Sequence, residues 1–346
     1  MTIASREVRR ANETVADRMA GAFRRHGVTV VFRQSIPTAF HLAAPHYGIR
    51  QAAYRAENAS GIMAEAYARV ANRVAVVTAQ NGPAAKLLVP PLAEALKAST
   101  PIVALVQEVP RGRADKNAFQ EFDHVRLFDA VAKWERRIDQ RERVEDYVDM
   151  AFGAAASGPP GPAVLLAPAD VLSLPASGGS SRSASLDAFP LDRTVADPAR
   201  VAEAADLIAG ARAPLVVAGR GVHLSGATRD LAALREARSL PVGTTVMGKG
   251  AVDETHPLSL GVVGYFMGPG SRTQELRCLI DDADVILFVG RGPIRTAPTA
   301  GPFFPQSPLH SHRYRQRRGG SELRSLTARR RREAHPGCAV SGACQA

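Results

Sequence analysis

The first 170 residues contain five short runs whose apolar side chains follow one another instead of alternating with polar ones. They are VTVVF at 28–32, RQAAY at 50–54, RVAVVT at 73–78, PIVALV at 101–106 and AVLLAP at 163–168. A strand that is apolar at successive positions has two faces to bury, and a parallel sheet covered by helices on both sides supplies the cover. Helical patterns fill the intervals, over roughly 57–71, 84–98 and 143–156.

A Ser/Gly-rich stretch, SGGSSRSAS at 177–185, interrupts this alternation and reads as a linker. The same grammar then resumes. Asp197-Pro198 marks a helix start before ARVAEAADLIAGA, and the strand PLVVAG follows. Next come a helix near 226–239, the short run PVGTT, a helix near 271–282 and the strand DVILFVG. The expected architecture is α/β, with two consecutive domains whose mostly parallel sheets are flanked by helices. The bounds are 1–172 for the first domain, 173–196 for the linker and 197–290 for a second, truncated domain.

The segment YRAENASGIMAEAYAR, Tyr54 to Arg69, carries the most specific pattern. It resembles the glutamate-led helix "E-x-x-A-x-x-M-A-x-G-Y-A-R" of thiamine diphosphate (ThDP) enzymes, with Glu57 as the glutamate and Ala64, Tyr67, Ala68 and Arg69 in matching places. The resemblance is nearest to the acetolactate synthase large subunit. It continues in register through VVTAQNGPAA, LAEALKASTPIVALVQEVPR, KNAFQEFDHVRLF and GPPGPAVLLAPADVL. In the second block it continues through Ala213 to Val222 and Pro241 to Gly261, covering roughly residues 5–290.

The resemblance implies a chemistry in which one carboxyl group matters most. ThDP reacts through C2 of its thiazolium, and the proton there is removed by the cofactor's own 4′-amino group. A glutamate hydrogen-bonded to the pyrimidine ring nitrogen favours the imino tautomer that makes that group basic. Set among Ala52, Ala53, Ala56, Ala59 and Ile62, the Glu57 carboxyl is expected to be partly desolvated, a condition that lets a carboxyl share a proton near neutral pH. The plainer reading of Glu57 is a helix-start carboxylate facing the positive dipole end, a contact worth up to about 1 kcal/mol. The surrounding motif favours the catalytic reading.

Further site residues follow from the same resemblance. Pro37, in FRQSIPTAF, and Gly82 with Pro83, in AQNGPAAKL, stand where the family's loops approach the cofactor. Arg33 and Thr38 replace glycines of the first loop, and Lys86 and Leu87 replace Thr and Asn of the second. Gln120 aligns with a glutamine near the family's substrate, whereas His124 and the single Trp134 read as structural. Gly219, Gly221, Gly248 and Gly250 stand where acetolactate synthases hold FAD. Strand-to-helix turns that need positive φ explain them without a flavin, and that reading is favoured.

Past Gly290 the alternation stops. Residues 291–346 hold 11 Arg, no Lys, six Pro, the acidic Glu322 and Glu333, and an Arg cluster at 329–332. They supply +9 of the net +11, leaving 33 basic and 31 acidic residues in the body. Such a tail is expected to be disordered, either as a product of a shifted reading frame or as an Arg-rich tail for nucleic acid, the first being favoured. The family grips the cofactor's diphosphate through Mg²⁺ held by a third domain bearing Gly-Asp-Gly. These 346 residues contain no such tripeptide, and the sequence offers no metal ligand set of its own.

An apolar fraction of 45% suits globular cores. The absence of an apolar run near 20 residues and the polar start MTIASREVRRANE lead to a cytoplasmic expectation without membrane attachment. Cys278, Cys338 and Cys344 form neither a disulfide framework nor a metal spacing. The leading expectation is a ThDP-dependent decarboxylase or carboligase acting on a 2-oxo acid, incomplete as this chain and associating as a homodimer or tetramer through its pyrimidine domain. The alternatives are a non-catalytic or regulatory dimerising relative and an Arg-tail nucleic-acid binder.

Overall fold

The structure is a computed structural model that describes residues 13–177, 195–264, 267–271 and 273–290. The chain divides into two compact units, Met1–Asp192 and Arg193–Ala346. The Arg-rich segment 291–346 and all but the first residue of the Ser/Gly-rich stretch lie outside the described residues.

The first unit is built on a six-stranded, wholly parallel sheet. Its strands are β1 (Val30–Arg33), β2 (Arg50–Ala53), β3 (Ala75–Ala79), β4 (Ile102–Glu108), β5 (Trp134–Arg137) and β6 (Pro162–Pro168), in the spatial order β2-β1-β3-β4-β6-β5. The unbroken apolar runs have the cause inferred from sequence. In β4, Val103 and Leu105 join one core cluster while Ile102, Ala104 and Val106 join the other, and all five are buried. Helices α1 (Val15–Arg25), α2 (Thr38–Ala43), α7 (Val144–Ala156) and α8 (Ala169–Ser173) supply the first cluster. Helices α3 (Glu57–Ala71), α4 (Pro83–Lys86), α5 (Val89–Lys97) and α6 (His124–Phe128) supply the second.

Strand β5 escapes the apolar signal because it is an edge. WERR is half-buried or exposed and pairs only with β6, from Trp134↔Ala163 to Arg137↔Leu166. Charged side chains on a sheet's outermost strand discourage pairing with another chain. Trp134 packs partly buried against the first cluster, with the Arg136 guanidinium 5.8 Å from its ring centre. The helical stretch expected over 84–98 is two pieces, because Pro90 and Pro91 permit a helix to start at Val89 but withhold the N–H groups needed to continue one.

Helix α3 spans the expected residues, and most of its motif is packing. Ala64 and Ala68 are buried in the second cluster, Tyr67 meets the Phe32 ring edge-on, and Arg69 pairs with Glu65 and, at 3.3 Å, with Glu94. A Cβ at Gly61 would stand 2.3 Å from Cγ of Pro91, so glycine lets α3 lie directly on α5.

The second unit holds a four-stranded parallel sheet in the spatial order Val285–Val289, Pro214–Ala218, Val242–Thr244, Ser259–Val262. Its strands are β7 (Pro214–Ala218), β8 (Val242–Thr244), β9 (Ser259–Val262) and β10 (Val285–Val289), and its helices are α9 (Pro198–Ala209), α10 (Gly221–Ser225), α11 (Thr228–Arg238) and α12 (Arg277–Asp281). The last is a single turn where a helix over 271–282 was expected. Clusters on both faces of the sheet again account for runs such as LVVA, with Leu215 and Val217 on one side and Val216 and Ala218 on the other. Among the described residues no helix is long and apolar enough to cross a membrane.

The Gly61–Pro91 contact predicts a sign. Gly→Ala inside a helix ordinarily gains up to about 1 kcal/mol, but overpacking a tight contact costs about 1–3 kcal/mol. Gly61→Ala is therefore expected to lower stability, whereas Gly153→Ala in α7, where an added Cβ meets nothing within 4 Å, is expected to raise it. Urea unfolding of both variants checks this, and a stabilised Gly61→Ala would refute the close contact.

Candidate active site

Strand order fixes where a ligand site belongs. From β1 the chain passes to β2 on one side and then crosses to β3 on the other, so the connections leaving β1 and β3 diverge at the strands' carboxyl ends. In open α/β sheets that divergence leaves a crevice for ligands. The turn after β1 contains Pro37, and the turn after β3 contains Gly82 and Pro83.

Glu57 follows β2 as the first residue of α3, with Ala56 as its cap. The residue is only 8% exposed, yet its carboxylate makes no hydrogen bond with the described residues. The apolar surround expected from sequence is corrected here. Ala53, Ala59 and Ile62 are exposed, because the helical period turns positions 59 and 62 away from the buried 61, 64, 65 and 68. Tyr54 and Ser60 are the buried neighbours instead. Ser60 Oγ donates to the Glu57 carbonyl at 2.6 Å, and burial, with the Glu57 charge as the next cause, pushes the Tyr54 phenol well above its usual range.

Thr78 on β3 ties the neighbouring segments together. Tyr54 Oη donates to the Thr78 carbonyl at 2.7 Å, and the Thr78 hydroxyl lies 2.9 Å from Nε2 of His41 in α2. His41 Nδ1 lies 3.3 Å from the Ser35 carbonyl, which accepts only, so Nδ1 carries the ring proton and Nε2 accepts from Thr78. Burial, with a smaller contribution from the Arg33 charge, holds the imidazole down at about 4. The turn containing Pro37, which caps α2 and is preceded by a cis peptide, is thereby fastened to the strand beneath it. The sequence reading did not single out His41, and its position four residues after Pro37 is the one signal that pointed to it.

Gly82, Pro83 and Gln120 come together. Gly82 caps α4 with φ +64°, and a Cβ there would stand 2.5 Å from the Gln120 carbonyl oxygen. Asn81 Nδ2 donates to the carbonyls of Phe119 and Gln120 at 3.0 and 2.9 Å, and Gln80 Nε2 donates to Gln120 Oε1 at 2.9 Å. His124 lies below this turn, 2% exposed, with Nε2 2.9 Å from the Gly82 nitrogen and Nδ1 3.2 Å from Glu108 Oε1. Among the described residues no three or more His, Cys, Asp or Glu side chains gather into a metal site.

The glycines of the second unit have a different cause from the one expected. Of the four singled out, only Gly250 has positive φ. A Cβ at Gly221 would stand 2.6 Å from the Gly290 Cα, and one at Gly248 would stand 2.3 Å from the Ala218 carbonyl oxygen. Gly221 N also donates to the Gly290 carbonyl at 2.7 Å. Here close approach of protein backbone to protein backbone requires glycine.

With this geometry in place, comparison with known proteins identifies the class. Residues 13–127 match the thiamine pyrophosphate enzyme N-terminal TPP binding domain, and 201–313 match the thiamine pyrophosphate enzyme central domain. The chain belongs to the thiamine pyrophosphate enzyme family and carries these two domains in sequence. Its relatives include a probable acetolactate synthase large subunit of Methanococcus aeolicus, 33% identical over 72% of this chain and 41% of that protein. An acetolactate synthase of Arthrospira platensis is 33% identical over 79% and 49%, and one of Mycobacterium bovis is 36% identical over 62% and 35%. The chain spans less than half the length of these relatives.

The His41 geometry carries a pH dependence. The unfolded chain binds a proton on this ring near its ordinary 6.5, while the folded ring stays neutral down to about 4. Stability contributed by His41 is therefore present above pH 6.5 and lost as pH falls toward 4, by up to about 3 kcal/mol. Denaturant unfolding of wild type and His41→Gln between pH 7 and 4 should show the gap between them narrowing by that order, and a constant gap would refute the assignment.

Proposed function

We propose that this chain supplies the pyrimidine-binding half of an acetolactate synthase-like enzyme that decarboxylates a 2-oxo acid and transfers the remaining fragment to a second carbonyl. The observation that carries the reading is Glu57, a residue 8% exposed at the start of α3 whose carboxylate makes no hydrogen bond with the described residues. A group so placed fits a partner that brings its own ring nitrogen. When bound, ThDP supplies the electron sink for decarboxylation. Glu57 holds and shares the proton at the pyrimidine ring nitrogen. Pro37, Gly82 and Pro83 shape the walls on which the ring rests, and Gln120 faces the substrate. The diphosphate and its Mg²⁺ are held by residues outside this half. Flavin is not part of the proposal, since the glycines at 221 and 248 already serve backbone contacts.

Association is the second part of the proposal. Ala59, Ile62, Met63, Ala66 and Val70 form an exposed apolar face along α3, with Ile62 58% and Val70 90% exposed. Such a helix face suits burial against a second copy. It equally supports the alternative of a non-catalytic dimerising relative, so catalysis must be tested directly. The nucleic-acid reading rests on an Arg cluster outside the described residues.

The test is C2 deuterium exchange of ThDP and pyruvate decarboxylation, measured with Mg²⁺ on the full chain, alone and with an added diphosphate-binding domain. Glu57→Gln keeps size but cannot exchange a proton with the ring nitrogen. It is expected to slow C2 exchange by roughly 10²-fold while leaving the thermal midpoint nearly unchanged. Equal exchange rates would remove Glu57 from this role, and dimerisation without any ThDP binding would favour the non-catalytic alternative.

A further inference from the structure

Beneath the Gly82 turn lies a chain of polar groups that the proposed function leaves without a task. His124 is the first residue of α6 and is 2% exposed. Its Nε2 lies 2.9 Å from the Gly82 nitrogen, and a backbone amide can only donate, so Nε2 is bare. The ring proton therefore sits on Nδ1, which is 3.2 Å from Oε1 of Glu108, itself 7% exposed at the end of β4. The other carboxylate oxygen of Glu108 lies 2.8 Å from Arg137 Nε on β5, and Arg137 also approaches Asp139 at 3.4 Å. Three sheet-end segments and one helix start thus converge on a single amide.

We propose that His124 is a positioning residue that sets the Gly82–Pro83 turn, and Gln120 with it, for the pyrimidine and substrate. Gly82 is held in the left-handed region at φ +64° with the Gln120 carbonyl directly over its Cα, so the turn and the Gln120 segment move together. Glu108 fixes the imidazole tautomer by facing Nδ1, and the Arg137 guanidinium stands 2.8 Å from its other carboxylate oxygen. A ring with its proton on Nε2, or an imidazolium, would meet the Gly82 N–H with a second donor and push the turn outward. An apolar side chain would leave that buried N–H without an acceptor. The assignment rests on the reading that Gly82, Pro83 and Gln120 face cofactor and substrate, but its physical content is separable from that reading.

The test uses the full chain labelled with ¹⁵N at histidine and glycine. The His124 ring is expected to show a protonated Nδ1 and a bare Nε2, and the Gly82 amide is expected to be protected from exchange. His124→Gln places a non-titrating amide oxygen near the position of Nε2 and is expected to keep that protection. His124→Leu is expected to accelerate Gly82 exchange about tenfold or more, the effect of an unsatisfied buried donor, and to weaken ThDP affinity in parallel, with His124→Gln restoring both. An Nε2-protonated ring in the wild type, unchanged Gly82 protection in His124→Leu, or a folded His124→Gln that has lost it each overturns the assignment. If His124→Leu does not fold, the wild-type tautomer and His124→Gln decide the matter. The ring and exchange readouts need no cofactor. A wild-type chain that binds no ThDP even with an added diphosphate-binding domain thus refutes the proposed function and not this assignment.

Discussion

Burial of the central strands on both faces is the constraint from which the rest follows. In β4 and β6 nearly every residue is enclosed by helices above and below, so these strands have no lateral surface on which polar chemistry can stand. Polar groups are displaced to the strand ends. At the carboxyl ends of β1 and β3 the covering helices depart to opposite faces and leave room for a ligand. Pro37, Gly82 and Pro83 lie there because the topology leaves few other places for them.

What keeps that end of the sheet in shape is a set of hydrogen bonds between segments distant in the chain. Thr78 accepts Tyr54 through its carbonyl and donates its hydroxyl to His41, joining the turn after β1 to the segment that precedes Glu57. His124 and Glu108 do the same for the turn after β3. Each of these polar side chains is at least nine-tenths buried, and a buried polar group costs stability unless it is paired. The pairing therefore fixes the turns tightly. Glu57, 8% exposed, makes no side-chain hydrogen bond with the described residues and stands outside both sets.

The family resemblance and the packing explain different parts of one motif. In the helix from Glu57 to Ala71, Ala64, Ala68 and Gly61 serve contact with the sheet and with α5, while Glu57 joins neither core cluster. Much of the match to the family pattern along this helix is therefore explained by packing alone. The opposite face, with Ala59, Ile62, Met63, Ala66 and Val70, is apolar and exposed and takes no part in the unit's own core.

The sequence alone determined the parallel α/β architecture, the bounds of the long helix from Glu57 and the identity of its leading carboxylate. Those features depend on local period and on which residues can be buried, and both are written in consecutive residues. Only the tertiary structure decided the polar edge strand at Trp134, the neutral buried ring of His41 and the attachment of His124 to Gly82. It also replaced the expected alanine and isoleucine surround of Glu57 with Tyr54 and Ser60. The physical reason is separation: Thr78 lies 37 residues from His41 and Gly82 lies 42 from His124, so neither partner leaves a mark on the other's local pattern. Close backbone approach at Gly221 and Gly248 was hidden in the same way, because a glycine spared a collision and a glycine needed for a turn read alike until the neighbouring strand is in place.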